Sequence, residues 1–365
     1  MHWPSLLVAS AAFVVPCLAL PTTSSQGNSP QSAEDAVPGE SYLFTTYTGK
    51  KTPLAANYTR VIPPTDPDGS PDPDDVLWQN LASAEWIIYS FYQQAVEAFS
   101  PSDFTALGLP NTTYQRIAEI RDNEAGHLRI FQDQISNHSL KPGPCKYEFG
   151  FNKSTPEIFL ALQVYIEVSS MAFLTGLSRQ ANLNVSKSAL MAVGQVETRH
   201  NVWSLIDVYN TSPFSGPADT VYPYANQILD TTNNFVVPGS CPKANPVYPN
   251  PRQGLPLLAF SKNGTTARLG SKIHFLFEDP DNQPQFEDET EYYAVFYHGI
   301  NTVSVPFDRK TNSSTIPARF DPESSIIMVN IADRRDAPTE ESVVAGPLII
   351  LEQPGSLTLE EPTAV

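Results

Sequence analysis

The sequence predicts a four-helix bundle followed by a small antiparallel β-sandwich, and three observations carry that expectation. Residues 75–210 hold four segments in which apolar side chains return every three or four positions. From about Leu255 onward the pattern changes to short β-branched and aromatic runs separated by Pro, Gly, Asn and Asp. Between the second and third helical segments lies NHSLKPGPCKYEFGFNKS, long enough to cross the length of a bundle, whereas the other helix connections are short. The expected organisation is a signal peptide over residues 1–20, a disordered or extended linker over 21–74, the bundle over 75–235 and a β-sandwich-like domain over 250–355.

The N-terminus supplies an apolar run of roughly 13 residues followed by small and polar ones, the proportions of a signal-peptide core. The Pro-, Ser- and Asp-rich stretch ending PPTDPDGSPDPDD is too polar to repay its own ordering, and its aspartates lack the spacing of a calcium loop. The first helix places Leu77, Leu81, Ala84, Ile88, Tyr92, Ala95 and Phe99 on one stripe, and SPSDFTALGLPNTT breaks it. The second starts at Thr112 or Thr113 and runs through Ile117, Ile120, Leu128, Phe131 and Ile135. The third opens at STPEIF, with Pro156 in its first turn, and is apolar on most sides. The fourth runs from NVSKSAL to about Tyr209, and a shorter fifth is expected around YANQILDTTNNF. TARLGSKIHFLFE, EYYAVFYHG, NTVSVPF, IIMVNIA and VVAGPLIILE are the expected strands, and EDPDNQPQFEDETE is an exposed loop among them.

A net charge of −17 excludes nucleic acid as a partner, because phosphate binding needs clustered Lys and Arg. No segment after the N-terminal run reads as a membrane span, and the C-terminal GSLTLEEPTAV has no lipid-anchor tail, so no membrane anchor is expected. Two features agree with export. Sequons stand at Asn57, Asn111, Asn137, Asn152, Asn184, Asn210, Asn263 and Asn312, which points to a glycosylated secreted protein of the extracellular space or cell wall. Once Cys17 leaves with the signal, Cys145 and Cys241 form an even pair, and one disulfide is expected between them.

The chemistry lies where acids interrupt the apolar stripes. Glu85 sits between Leu81 and Ile88, and Glu167 between Val164 and Met171. RDNEAGHLRIF and GQVETRHNVWS each carry a Glu-x-x-His, as Glu124 with His127 and Glu197 with His200. Residues three apart share a helix face, so each pair points one way. Four carboxylates and two imidazoles are thus expected to converge inside the bundle. Buried carboxylates persist only when paired, protonated or bound to metal. The set has the composition of a dinuclear metal–carboxylate site: a Glu from each of two helices and a Glu-x-x-His from each of the others. Tyr89 and Asp207 are candidates to accept or donate hydrogen bonds around it, with a core tyrosine and an exposed aspartate as the alternatives. His138 is expected in a solvated loop.

On these motifs the chain resembles the ferritin-like di-iron proteins, and specifically the secreted fungal ferritin-like family linked to stress and sexual development, which is related to plant desiccation proteins. The ferritin-like resemblance covers roughly residues 75–235; for the β-domain only the secreted fungal family is similar. It implies two iron ions, with manganese as the alternative, since carboxylate and imidazole suit both and no thiolate is present. Glu85, Glu124 and His127 would serve one ion and Glu167, Glu197 and His200 the other, with one or two carboxylates bridging, Glu167 among them. The implied activity is an oxidase, ferroxidase or peroxide-scavenging reaction with O2 or peroxide, in stress or development. The competing expectation is a non-catalytic extracellular or cell-wall stress protein with a structural or vestigial metal site. Its C-terminal domain would then bind polysaccharide or another protein.

Overall fold

The computed structural model describes residues 59–151, 154–210, 212–214, 221–261, 269–320 and 326–351. The expected signal peptide, the first part of the linker, Asn57, Asn152, Asn263 and the end of the β-domain lie outside the described residues. The described chain divides into two units. One is helical and comprises residues up to Val208 together with Ile228–Gln253; the other comprises Tyr209–Gln227 and the residues from Gly254 onward.

The helical unit is built on α1 (Asp75–Ala98), α3 (Thr113–Gln134), α4 (Pro156–Gln180) and α5 (Asn184–Trp203), with a short α2 (Pro101–Ala106) and, from Ile228 onward, the later α6 (Ala225–Thr232). The α2 turn is a correction to the expected break. Pro101 opens it, and Asp103 accepts the Ser100 backbone N–H at 2.7 Å, so the residues that stop α1 also start a new turn. α1 and α3 run antiparallel: Trp78 stacks on Phe131 at one end, and Tyr114 donates to the Val96 carbonyl at the other. α4 and α5 do likewise, with Gln163 meeting Ser204 and Met171 meeting Thr198. α5 does not continue as a regular helix to Tyr209; Ser204–Val208 form a π-turn, a local widening that recurs at functional sites.

The crossover after α3 lies over the α1–α3 pair. Gln79 donates to the Leu140 carbonyl at 2.7 Å, and Trp86 Nε1 to Pro142 at 3.3 Å. The expected disulfide forms, Cys145 to Cys241, and the chain on either side pairs through Tyr147 and Val236. Residues 59–74, read as linker from composition, instead pack on the bundle. Ile62 bridges Lys141, and the Asp74 carboxylate accepts the N–H groups of Asn182 and Leu183 at the start of α5. Those hydrogen bonds outweigh burial and hold Asp74 below the ordinary carboxylate range. α4 also corrects an expectation: with a mean hydropathy of 1.6 it is long and apolar enough to cross a membrane. Most of it is buried, and it carries Glu167 in its buried face, which are the properties of a core helix.

Among the described residues the second unit holds seven strands in two antiparallel sheets: β1 (Leu258–Phe260), β2 (Lys272–Phe277) and β5 (Ser313–Thr315) in the order β1-β2-β5, and β3 (Tyr293–His298), β4 (Asn301–Pro306), β6 (Ile326–Ala332) and β7 (Val343–Leu351) in the order β4-β3-β6-β7. All five expected strands are present; β1 and β5, three residues each, are additions too short to show a period. β3 and β4 are joined through Gly299 at φ 56°, which suits the tight primed turn of a hairpin. Phe260, Phe275, Phe277, Phe296, Val329 and Ile331 from both sheets share one apolar core. The acidic loop is exposed along most of its length, but Phe286 turns inward against that core.

Candidate metal centre

Each long helix delivers one acid to a common point. Glu85 from α1, Glu124 from α3, Glu167 from α4 and Glu197 from α5 are at most 1% exposed, and His127 and His200 are 5% exposed. The helical period explains this convergence, because each acid occupies a position that an apolar residue would otherwise hold on the inward stripe.

Both imidazoles present Nδ1 to the acids. His127 Nδ1 lies 2.9 Å from Glu124 Oε2, 3.3 Å from Glu197 Oε1 and 3.5 Å from Glu85 Oε1. His200 Nδ1 lies 3.0 Å from Glu124 Oε1, 3.5 Å from Glu167 Oε2 and 3.5 Å from Glu197 Oε2. Two overlapping groups result, Glu85–Glu124–His127–Glu197 and Glu124–Glu167–Glu197–His200, each with its donor atoms within 4.8 Å of one another. Glu124 and Glu197 belong to both groups and offer a different oxygen to each imidazole. Glu167, expected to bridge, reaches only His200, and Glu85 reaches only His127. The reason is positional: α3 and α5 face each other across the site, so an acid on either meets the histidine of its own helix and that of the other.

The donor set fits a cation. A single Nδ1–H can satisfy one oxygen, yet three carboxylates surround each ring. Glu85 Oε1, Glu124 Oε1, Glu167 Oε2, Glu197 Oε2 and His200 Nδ1 are buried without a hydrogen bond of acceptable geometry. Such atoms are costly inside a protein unless a cation completes them. All-carboxylate and imidazole donors suit iron(II) and manganese(II).

Without metal the six groups share protons. Burial pushes Glu85 well above the ordinary carboxylate range, helped by the neighbouring Glu124 charge, and pushes Glu167 up to about 8. Burial also opposes charge on Glu124 and Glu197, but the two imidazoles outweigh it for both and hold them low. The imidazoles are raised well above the usual histidine value: against burial, Glu124 acts on His127, and Glu167 and Glu124 act on His200. Two carboxylates and two imidazoliums then carry the charge, and it cancels.

Sequence reasoning missed the groups that steady this set. Tyr92 was read as core; its hydroxyl donates to Glu167 Oε1, and burial and that carboxylate together keep it protonated. The signal was its place two turns after Glu85 on the same stripe. His200 Nε2 lies 3.4 Å from Asn123 Oδ1, where Asp207 had been the candidate; Asp207 sits in the π-turn. Tyr89 is a core tyrosine set edge-on to Trp86. His138 lies in its loop against the Asp66 carbonyl, 2.9 Å away.

Residues 74–206 match the family model of the ferritin-like domain. The helical part of the chain is therefore a ferritin-like domain, followed by a C-terminal domain of antiparallel strands in two sheets. Comparison with curated proteins gave no match.

Proposed function

We propose that the ferritin-like domain holds two iron or manganese ions between Glu85, Glu124, His127, Glu167, Glu197 and His200, and that the protein is a secreted oxidoreductase acting on O2 or peroxide. The observation that carries the reading is the double role of Glu124 and Glu197, each offering one oxygen to either histidine-centred group. A pair of such ions supplies two electrons, the number needed to take O2 to peroxide or peroxide to water. The chain's own residues do the rest. Glu124 and Glu197 would each lend one oxygen to either ion, and Tyr92 holds Glu167 through its hydroxyl. All six groups are buried, which keeps them from bulk water. The Cys145–Cys241 bond supports an oxidising compartment, and Asn111, Asn137, Asn184 and Asn210 are exposed where glycans would attach. Asn312 is half-buried.

The test is elemental analysis of the protein secreted from its host, followed by iron(II) loading and exposure to O2 or peroxide with absorbance recorded. Stoichiometric iron or manganese with turnover supports the reading. Bound metal without turnover leaves the non-catalytic alternative with a structural site, and no stoichiometric metal removes the oxidoreductase reading and leaves the vestigial one.

A further inference from the structure

We propose that the two metal positions are unequal, and that Asn123 makes the Glu167–His200 position the tighter one, filled first and released last. The inference rests on the metal reading of the site. The two halves are matched in their ligands and mismatched in what surrounds them. Asn123 directly precedes Glu124 and sits at His200 Nε2; the residue that directly precedes Glu197 is Val196, whose side chain offers no acceptor. Asn123 is itself oriented, because its Nδ2 donates to the Glu119 carbonyl at 3.2 Å and so turns Oδ1 toward the imidazole. That acceptor anchors the ring through Nε2 and turns Nδ1 toward the acids, which sets the ring orientation before any ion arrives.

The terminal acids show the same imbalance. Seven residues after Glu85 stands Tyr92, whose hydroxyl donates to Glu167; seven residues after Glu167 stands Leu174, which donates nothing. Further out, Ser204, the first residue of the π-turn, donates to Gln163, one turn before Glu167 on α4. The Glu167–His200 half is therefore braced by hydrogen bonds from groups behind the donor set, while His127, beyond its contacts to the acids, is packed by stacking on Phe131 at 5.8 Å, a contact that fixes no direction for Nδ1. Pre-orientation lowers the entropy lost on coordination, so the braced half binds more tightly.

Cobalt(II) titration of the metal-free protein, read by its visible absorption and by equilibrium dialysis, separates the positions. Two binding classes are expected. Asn123→Leu should weaken the tight class by about 10–100-fold and leave the weak class in place. Asn123→Asp, which keeps an acceptor, should restore it. His127→Ala should retain one cobalt at the tight affinity, and His200→Ala should retain only the weak one; circular dichroism confirms that each variant is folded. Two equal classes, an unaffected Asn123→Leu, or loss of the tight class in His127→Ala would each overturn the proposal. Failure of the wild type to bind cobalt at all would instead remove the metal reading beneath it.

Discussion

Both domains bury imidazole, in opposite surroundings. In the strand domain His298, 6% exposed, stacks on Phe320 with ring centroids 4.6 Å apart, beside a core of Phe, Ile, Val and Leu. In the helical domain His127 also stacks on a phenylalanine, but three carboxylates reach its Nδ1. Burial of a histidine is thus no mark of a site by itself. Convergence of acids from separate helices is, because packing alone offers no reason to place four carboxylates together.

Removing one acid is the hardest blow to that contrast. Glu124→Gln touches both groups and is expected to take bound metal from about two ions per chain to none after dialysis, whereas Glu85→Gln should leave one. His298→Phe should leave metal content unchanged. Mass-spectrometric elemental analysis reads all three, and equal losses in Glu124→Gln and Glu85→Gln would contradict the bridging role.

The next effect separates covalent from metal support. Cys145 and Cys241 are 96 residues apart in sequence, and closing a loop of that length is worth about 4–5 kcal/mol in the chain-entropy model. Reduction should lower the unfolding free energy of the helical domain by that order, read from denaturant titration, while sparing cobalt binding at low denaturant. Coincident loss of both would mean that the bridge also shapes the centre.

Protons and metal should compete in the helical domain alone. Burial pushes Glu167 from its ordinary value up to about 8, so the folded, metal-free state keeps a proton that the unfolded chain gives up. Its stability therefore falls as pH rises from about 4.5 to about 8. The raised imidazoles act in the same direction: their contribution is complete below about 6.5 and is lost as pH climbs through their folded values. The depressed Glu124 and Glu197 contribute above about 4.5 and lose that contribution in acid. Metal-free melting should peak near about pH 5 and decline toward pH 8, and loaded protein should instead gain over that interval. Loading at pH 7 should release about four protons, from His127, His200, Glu85 and Glu167, measurable by calorimetry in buffers of different ionisation enthalpy. A melting profile independent of pH and metal would end the comparison.

The smallest expected change is Tyr92→Phe. It removes the hydroxyl that holds Glu167 and should weaken the metal at His200 by about 1–2 kcal/mol, roughly tenfold, with little effect on the metal at His127. Cobalt titration would show whether one class moves or both.

Much of this architecture was legible in the sequence because it is periodic. Leu77, Leu81 and Ala84 mark a stripe by recurrence, and Glu85 stands out as an acid set in it; Glu-x-x-His puts both donors on one face whatever the neighbours do. Hence the four long helices, the crossover, five strands and all six donor residues could be named from spacing. The π-turn after Trp203, the α2 turn and the short β1 and β5 could not, since each is too brief to show a period and depends on local hydrogen bonds. Residues 59–74 were misread because composition reports apolar content, whereas Asp74 is held by backbone N–H groups of a distant segment. The same limit governs the centre. Spacing along a helix fixes which residues point inward, and the sequence determined that much by itself. Which carboxylate spans both imidazoles, and that Asn123 rather than Asp207 meets His200, depends on which helices face each other, a relation between segments far apart in the chain that only tertiary packing decides.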